Sequence, residues 1–133
     1  MAVYKHIILA DDDTDDIELF QSAAKECNEN IEIVTAKDGI KLIELLEKEE
    51  RIDVIILDLN MPKMNGYECV KTIRQNKKYN AIPIMIFSTS SAKEDIEYCL
   101  ETGADFYVVK PASFKGLKEI INDLNKGTIF NRF

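Results

Sequence analysis

Short runs of β-branched residues alternate with stretches of helical periodicity along the whole chain. Ile7-Ile8-Leu9-Ala10, Ile31-Glu32-Ile33-Val34, Val54-Ile55-Ile56-Leu57, Ile84-Met85-Ile86-Phe87 and Phe106-Tyr107-Val108-Val109 predict five strands. Four are apolar nearly throughout, as parallel strands covered on both faces must be. Glu32 interrupts the second, which places it at a sheet edge. Between and after the strands, Ile17, Phe20, Ala24 and Cys27 share one helical face, as do Ile40, Ile43 and Leu46, then Tyr67, Val70 and Ile73. Ile96, Cys99 and Leu100 mark a fourth helix; Leu117, Ile120, Ile121 and Leu124 mark a fifth. Gly103 falls where a left-handed helix stop is needed. The resulting (βα)5 alternation predicts an α/β fold: a doubly wound parallel sheet, right-handed crossovers, and helices on both faces. Ligands of such open sheets bind beyond the carboxyl ends of the strands, so chemistry is sought just after each one.

Those strand ends are unusually acidic. Asp11-Asp12-Asp13-Thr14-Asp15-Asp16 follows the first strand and Asp58 closes the third; Ser88-Thr89-Ser90 follows the fourth and Lys110-Pro111 the fifth. In this fold Asp11, Asp12, Asp58, Ser88 and Lys110 converge on one rim. Two carboxylates ~4 Å apart repel by about 4 kcal/mol at an effective dielectric of 20. Three cannot stay ionised together without a raised pKa or a cation. One lysine is too little, and a hard, oxygen-preferring divalent ion such as Mg²⁺ would make up the difference.

Plainer roles compete for each residue taken singly. Asp13, Thr14, Asp15 and Asp16 read as helix-start signals. Asp11 and Asp12 suit a surface turn, Asp58 a turn cap, Ser88 a turn hydroxyl and Lys110 an exposed lysine. A calcium loop fails, because Asp16 stands where glycine is required and Ser22 where glutamate is.

The 133 residues suit one domain, 1–133, with its core at about 6–124 and a C-terminal tail at 125–133. Apolar residues make up 46% and charged residues 31%, a globular rather than disordered balance. The net charge of −7 argues against direct nucleic-acid binding and against docking on an anionic membrane. No apolar run approaches the ~20 residues of a membrane span. The opening residues lack the pattern of a secretory signal. Cys27, Cys69 and Cys99 are odd in number and unpaired in spacing, as reduced thiols of a cytoplasmic protein are.

In this order the residues resemble the receiver domain of two-component response regulators, the chemotaxis-regulator family. The resemblance runs from about His6 to Leu124. It is carried by Asp11-Asp12, by Asp58-Leu59-Asn60-Met61-Pro62 with Asn65-Gly66, by Ser88, and by Lys110-Pro111. It implies a flavodoxin-like three-layer sandwich with strand order 2-1-3-4-5. Asp58 would be the nucleophile that takes a phosphoryl group from a phosphohistidine of a sensor histidine kinase or phosphotransfer protein. Mg²⁺, or Mn²⁺, would be held by Asp12 directly, Asp11 through water, Asp58, and the backbone carbonyl of Asn60. Lys110 and Ser88 would contact phosphoryl oxygens, with Thr89 the alternative hydroxyl. Tyr107 would rotate inward as Ser88 moves, remodelling the surface of the fourth helix, fifth strand and fifth helix for an unknown downstream protein. The Lys110–Pro111 bond is expected to be cis.

Such a protein is a signalling phosphoacceptor and not a turnover enzyme, though small donors could phosphorylate it and its acyl phosphate would hydrolyse slowly. Ala112, where a bulky apolar residue is common in the family, leaves the output face open. A haloacid-dehalogenase-type phosphatase is the first alternative, but its strand-1 pattern needs Thr or Val where Asp15 stands. A flavodoxin-like electron carrier is the second, and the acidic first loop would repel a flavin phosphate. After the fifth helix only Lys126–Phe133 remains, so a stand-alone receiver or a fragment of a longer regulator is expected, monomeric or weakly dimeric. Its tail phenylalanines, Phe130 and Phe133, are expected to pack on the domain itself. His6, at a strand start, is a poor phosphorelay donor.

Overall fold

The computed structural model describes residues 4–129 and 131–133. Five strands, β1 (His6–Ala10), β2 (Glu32–Ala36), β3 (Val54–Leu57), β4 (Ile84–Ser88) and β5 (Phe106–Val109), form one parallel sheet in the order β2-β1-β3-β4-β5. Five α-helices follow them in turn: α1 (Thr14–Cys27), α2 (Gly39–Lys48), α3 (Gly66–Gln75), α4 (Lys93–Thr102) and α5 (Phe114–Lys126). The period of two along each strand divides the core. Ile7, Leu9, Val54, Ile56 and Met85 face α1 and α5, against Ile17, Phe20, Ile120 and Ile121. Ile8, Ala10, Ile55, Leu57 and Ile86 face the other layer, against Leu42, Leu46, Val70, Ile73 and Cys99.

The helix starts follow from local chemistry. Asp13 accepts from the N–H groups of Asp15 and Asp16, Asp38 from Lys41, and Ser113 from Gly116. Asn65 and Glu68 form a reciprocal capping box at the head of α3. The Arg74 guanidinium then ties several segments together. It donates to the carbonyls of Gly103, Tyr79 and Ile82 at 2.9, 3.0 and 2.8 Å, and to Asp105 Oδ2 at 2.8 Å. Gly103 has φ +133°, the expected left-handed stop, and a Cβ there would lie 2.6 Å from Arg74 Cγ.

Several expectations are corrected. β2 runs to Ala36 rather than stopping at Val34, because Ala36 pairs with Ala10 and its carbonyl accepts from Asp11 N–H. Ile31 instead donates to Asn28 in the preceding turn. On α2 the buried stripe is Gly39, Leu42, Leu45 and Leu46; Ile40 is exposed and Ile43 half-buried. Both stripes have helical spacing, and packing against the sheet core buries the one with Leu42, Leu45 and Leu46. No peptide bond among the described residues is cis, so Lys110–Pro111 is trans, the isomer favoured by about 0.5–1 kcal/mol. With that geometry Lys110 N–H still donates to the Ser88 carbonyl at 2.8 Å.

The tail turns back onto the domain. After a left-handed turn at Gly127 (φ 70°), residues 131–133 lie along the outer edge of β5, with Arg132 bridged in parallel to Val108. Phe133 meets the Tyr107 ring edge-on at 6.4 Å but is otherwise exposed. Phe130 lies outside the described residues.

Candidate functional site

The carboxyl ends of β1, β3, β4 and β5 do bring their polar residues to one rim. Asp11 and Asp58 each leave a central strand with the backbone still in the ladder: Asp11 N–H donates to Ala36 and Asp58 N–H to Ala10, both at 2.9 Å. Their side chains are therefore fixed by the sheet rather than by a loop. Asp11 is 2% exposed and Asp58 8%, while Asp12 stands in solvent. One carboxylate oxygen from each of Asp11, Asp12 and Asp58 lies within 4.8 Å of the others. This donor set suits a hard divalent cation, with two buried ligands and one open side.

Lys110 enters this group from the end of β5. Its Nζ donates to Asp11 Oδ2 and Asp16 Oδ2 at 2.8 Å and to Asp58 Oδ2 at 3.4 Å. Three ammonium protons thus meet three carboxylates. Burial alone would lower the Lys110 pKa, but the bonds to Asp11 and Asp16 and the charges of Asp11 and Asp58 outweigh it, so the lysine stays charged. Burial raises the Asp11 pKa; Lys110 and the Asp13 N–H pull it back only in part, and Asp58 adds to the rise. Among the described residues four carboxylates, Asp11, Asp12, Asp16 and Asp58, face one ammonium at this rim, an excess of acidic groups.

Asp58 itself is oriented from behind. Its Oδ1 accepts from Leu59 N–H at 2.8 Å, which leaves Oδ2 facing Lys110. The turn that follows is drawn tight by Gly66, whose N–H donates to the Leu59 carbonyl at 2.9 Å. A Cβ on Gly66 would meet the Asp58 carbonyl oxygen at 2.4 Å. Asn60 is exposed on this loop, two residues beyond Asp58. Met61 is buried, and Met64 and Tyr67 pack against the same core.

Ser88 ends β4 fully buried, whereas Thr89 is exposed, so Ser88 is the hydroxyl on the inside of the rim. Its Oγ accepts from Ser90 N–H at 3.2 Å. Tyr107 is also fully buried, and its hydroxyl donates to the Ser90 carbonyl at 2.8 Å. Burial raises the Tyr107 pKa despite hydrogen bonding with Ser88 and Ser90.

Two features were not picked out from sequence. Asp16 belongs to the lysine's shell as well as to the first turn of α1. Asp95 accepts from Tyr67 Oη at 2.5 Å and Ser90 Oγ at 2.6 Å, joining α3, the β4–α4 loop and α4. Those two donors lower the Asp95 pKa. The Tyr67 pKa is raised by burial and by Asp95. Ser90 stood in the Ser88-Thr89-Ser90 run, but nothing local in the sequence pairs it with Asp95. His6 lies at the opposite end of the sheet, its Nδ1 2.9 Å from Glu32 Oε2.

The response regulator receiver domain model matches residues 7–122, most of the chain. The chain belongs to the receiver domain family of response regulators. Among curated relatives it is 39% identical over 93 residues to a chemotaxis protein CheY homolog of Campylobacter jejuni, covering 70% of this chain and 72% of that protein. It is 34% identical over 119 residues to the response regulator SaeR of Staphylococcus aureus, covering 90% of this chain and 50% of that one. Among solved structures, the phosphorylated cyanobacterial phytochrome response regulator RcpA superposes with a TM-score of 0.84 at 30% identity, covering 95% and 96% of the two chains. The Mn(2+)-bound form of response regulator Rcp1 gives 0.80 at 28% identity, covering 90% and 91%. The receiver-family match takes the place of the phosphatase and electron-carrier alternatives, whereas the strand order alone would not, since flavodoxins share it. Among the described residues no helix is long and apolar enough to cross a membrane.

Proposed function

We propose that this receiver domain, the single domain of residues 1–133, is a cytoplasmic phosphoacceptor switch in which Asp58 takes a phosphoryl group from a phosphohistidine. The observation that carries this reading is the position of Asp58 Oδ2. It lies 3.4 Å from the Lys110 ammonium, in a group whose Asp11, Asp12 and Asp58 oxygens are within 4.8 Å of one another. Leu59 N–H holds Oδ1, so Oδ2 is the oxygen that attacks. The P–O bond to Asp58 forms as the P–N bond to the donor imidazole breaks, and the imidazole takes its proton from solvent. Lys110 meets the charge on the phosphoryl oxygens, and the Ser88 hydroxyl donates to another of them. Asp11, Asp12, Asp58 and the Asn60 carbonyl are the residues that would hold Mg²⁺ or Mn²⁺, which when bound neutralises the carboxylates and the incoming phosphoryl group.

The same arrangement accepts small acyl phosphates and slowly returns the phosphoryl group to water, so the chain is a timed mark and not a turnover enzyme. Output passes through Ser88 and Tyr107 to the surface of α4, β5 and α5, which a downstream protein reads. Its partners are a histidine kinase or phosphotransfer protein and that effector, with neither nucleic acid nor membrane bound directly. The domain acts as a monomer or weak dimer. Incubation with acetyl phosphate and Mg²⁺ should add one phosphoryl group by intact mass, and Asp58→Asn should remove the adduct. Equal labelling of wild type and Asp58→Asn would overturn the assignment.

A further inference from the structure

The outer edge of β5 is occupied by the protein's own C-terminal tail. In a parallel sheet the N–H and C=O of one residue point to the same side, and alternate residues point to opposite sides. Lys110 N–H points inward to Ser88, whereas Tyr107 and Val109 point outward. Those outward groups meet the tail. Tyr107 N–H donates to Asn131 Oδ1 at 2.8 Å, Arg132 N–H donates to the Tyr107 carbonyl at 2.9 Å, and Val109 N–H donates to the Arg132 carbonyl at 2.8 Å. Arg132 also pairs with Asp123 on α5, Phe133 meets the Tyr107 ring, and Ile129 is buried beside α5. A bare edge strand is a template for pairing with any other extended chain.

We propose that residues 131–133 act as an intramolecular strap that closes the β5 edge against strand addition and grips Tyr107 from outside. An extended peptide that adds to this edge in parallel must first displace the strap. Among the described residues the strap is held to the strand by three hydrogen bonds and to its surroundings by at least an ion pair and an aromatic edge, whereas in the β4–β5 ladder all of β4 and the middle of β5 are buried. Because Tyr107 also bonds the Ser90 carbonyl, strap and β4–α4 loop hold one residue from two sides.

Amide hydrogen exchange of the full chain, followed by NMR at several dilute concentrations, tests this directly. Ending the chain after Ile129, which keeps that buried residue, should speed exchange at Tyr107 and Val109 by on the order of tenfold, the worth of one hydrogen bond, and leave Lys110 unchanged. Asn131→Ala, which keeps the whole chain, should speed Tyr107 more than Val109. Unchanged rates at Tyr107 and Val109 would overturn the strap. So would a uniform rise that includes Lys110, which would make the tail a general prop of the fold. Protection in the full chain that fades on dilution would assign the tail to a second copy, and would equally contradict the intramolecular strap.

Discussion

At the scale of single residues, Lys110 governs the site. Among the described residues it is the one cation bonded to Asp11, Asp16 and Asp58, and only 11% of its side chain is exposed. Removing one member of a buried ionic group strands the others, typically at 3–5 kcal/mol. Asp16 is 36% exposed and water recovers part of that loss, so Lys110→Met is expected to cost about 2 kcal/mol in metal-free protein. Urea unfolding checks this, and added Mg²⁺ should return part of the difference. The same lysine shows where sequence reasoning stops. Asp11, Asp58, Ser88 and Lys110 were legible because each directly follows an apolar strand, and the topology then fixes their meeting. Asp16 was not, because an acid in the first turn of a helix is already accounted for by the helix dipole, and its second partner lies 94 residues away.

At the scale of elements, two joints hold the site in register. Asp53 Oδ2 accepts from the N–H groups of Lys5 and His6, each at 2.9 Å, and so sews the start of β1 to the residue before β3. Burial pushes the Asp53 carboxyl up, but the His6 and Lys5 N–H groups, with Arg51, outweigh it and hold the pKa below its ordinary 3.8. The ionised form is favoured by folding, so its stabilisation is present above pH 3.8 and is lost as pH falls through the lowered folded value. Asp53→Asn should thus be less stable than wild type at neutral pH, with the gap closing below about pH 4 in urea titrations. The second joint is Gly66. Gly66→Ala forces a Cβ to within 2.4 Å of the Asp58 carbonyl, so it should destabilise the fold by about 2 kcal/mol and slow acetyl phosphate labelling. Normal stability and labelling in that variant would contradict the close approach. Element types were readable from period and chain order, whereas the α2 face was read only in part: Ile40-Ile43-Leu46 and Leu42-Leu45-Leu46 both have helical spacing, Leu46 is buried as expected, and only the sheet distinguishes the rest.

At the scale of the whole molecule, fold stability and site charge are linked. Repulsion of Asp58 by Asp11 and Asp12 acts against the folded state, since only folding brings Asp58 to that sequence-adjacent pair. A cation bound there stabilises the fold by mass action, by about 2.7 kcal/mol at one hundred times its Kd. Thermal melts should therefore shift upward with Mg²⁺, and Asp12→Asn should reduce the shift. The tail strand belongs to this scale as well. Three residues carry no readable period, so its pairing with β5 emerges only once α5 and the turn at Gly127 have aimed the chain. The central claim is that one carboxylate of the cluster, Asp58, receives the phosphoryl group. Borohydride reduces an acyl phosphate to an alcohol, so the labelled protein can be trapped, digested and sequenced by mass spectrometry. Homoserine at position 58, formed only when both Mg²⁺ and acetyl phosphate are present, is the predicted result. Homoserine at position 11 or 12, or none at any position, would contradict it.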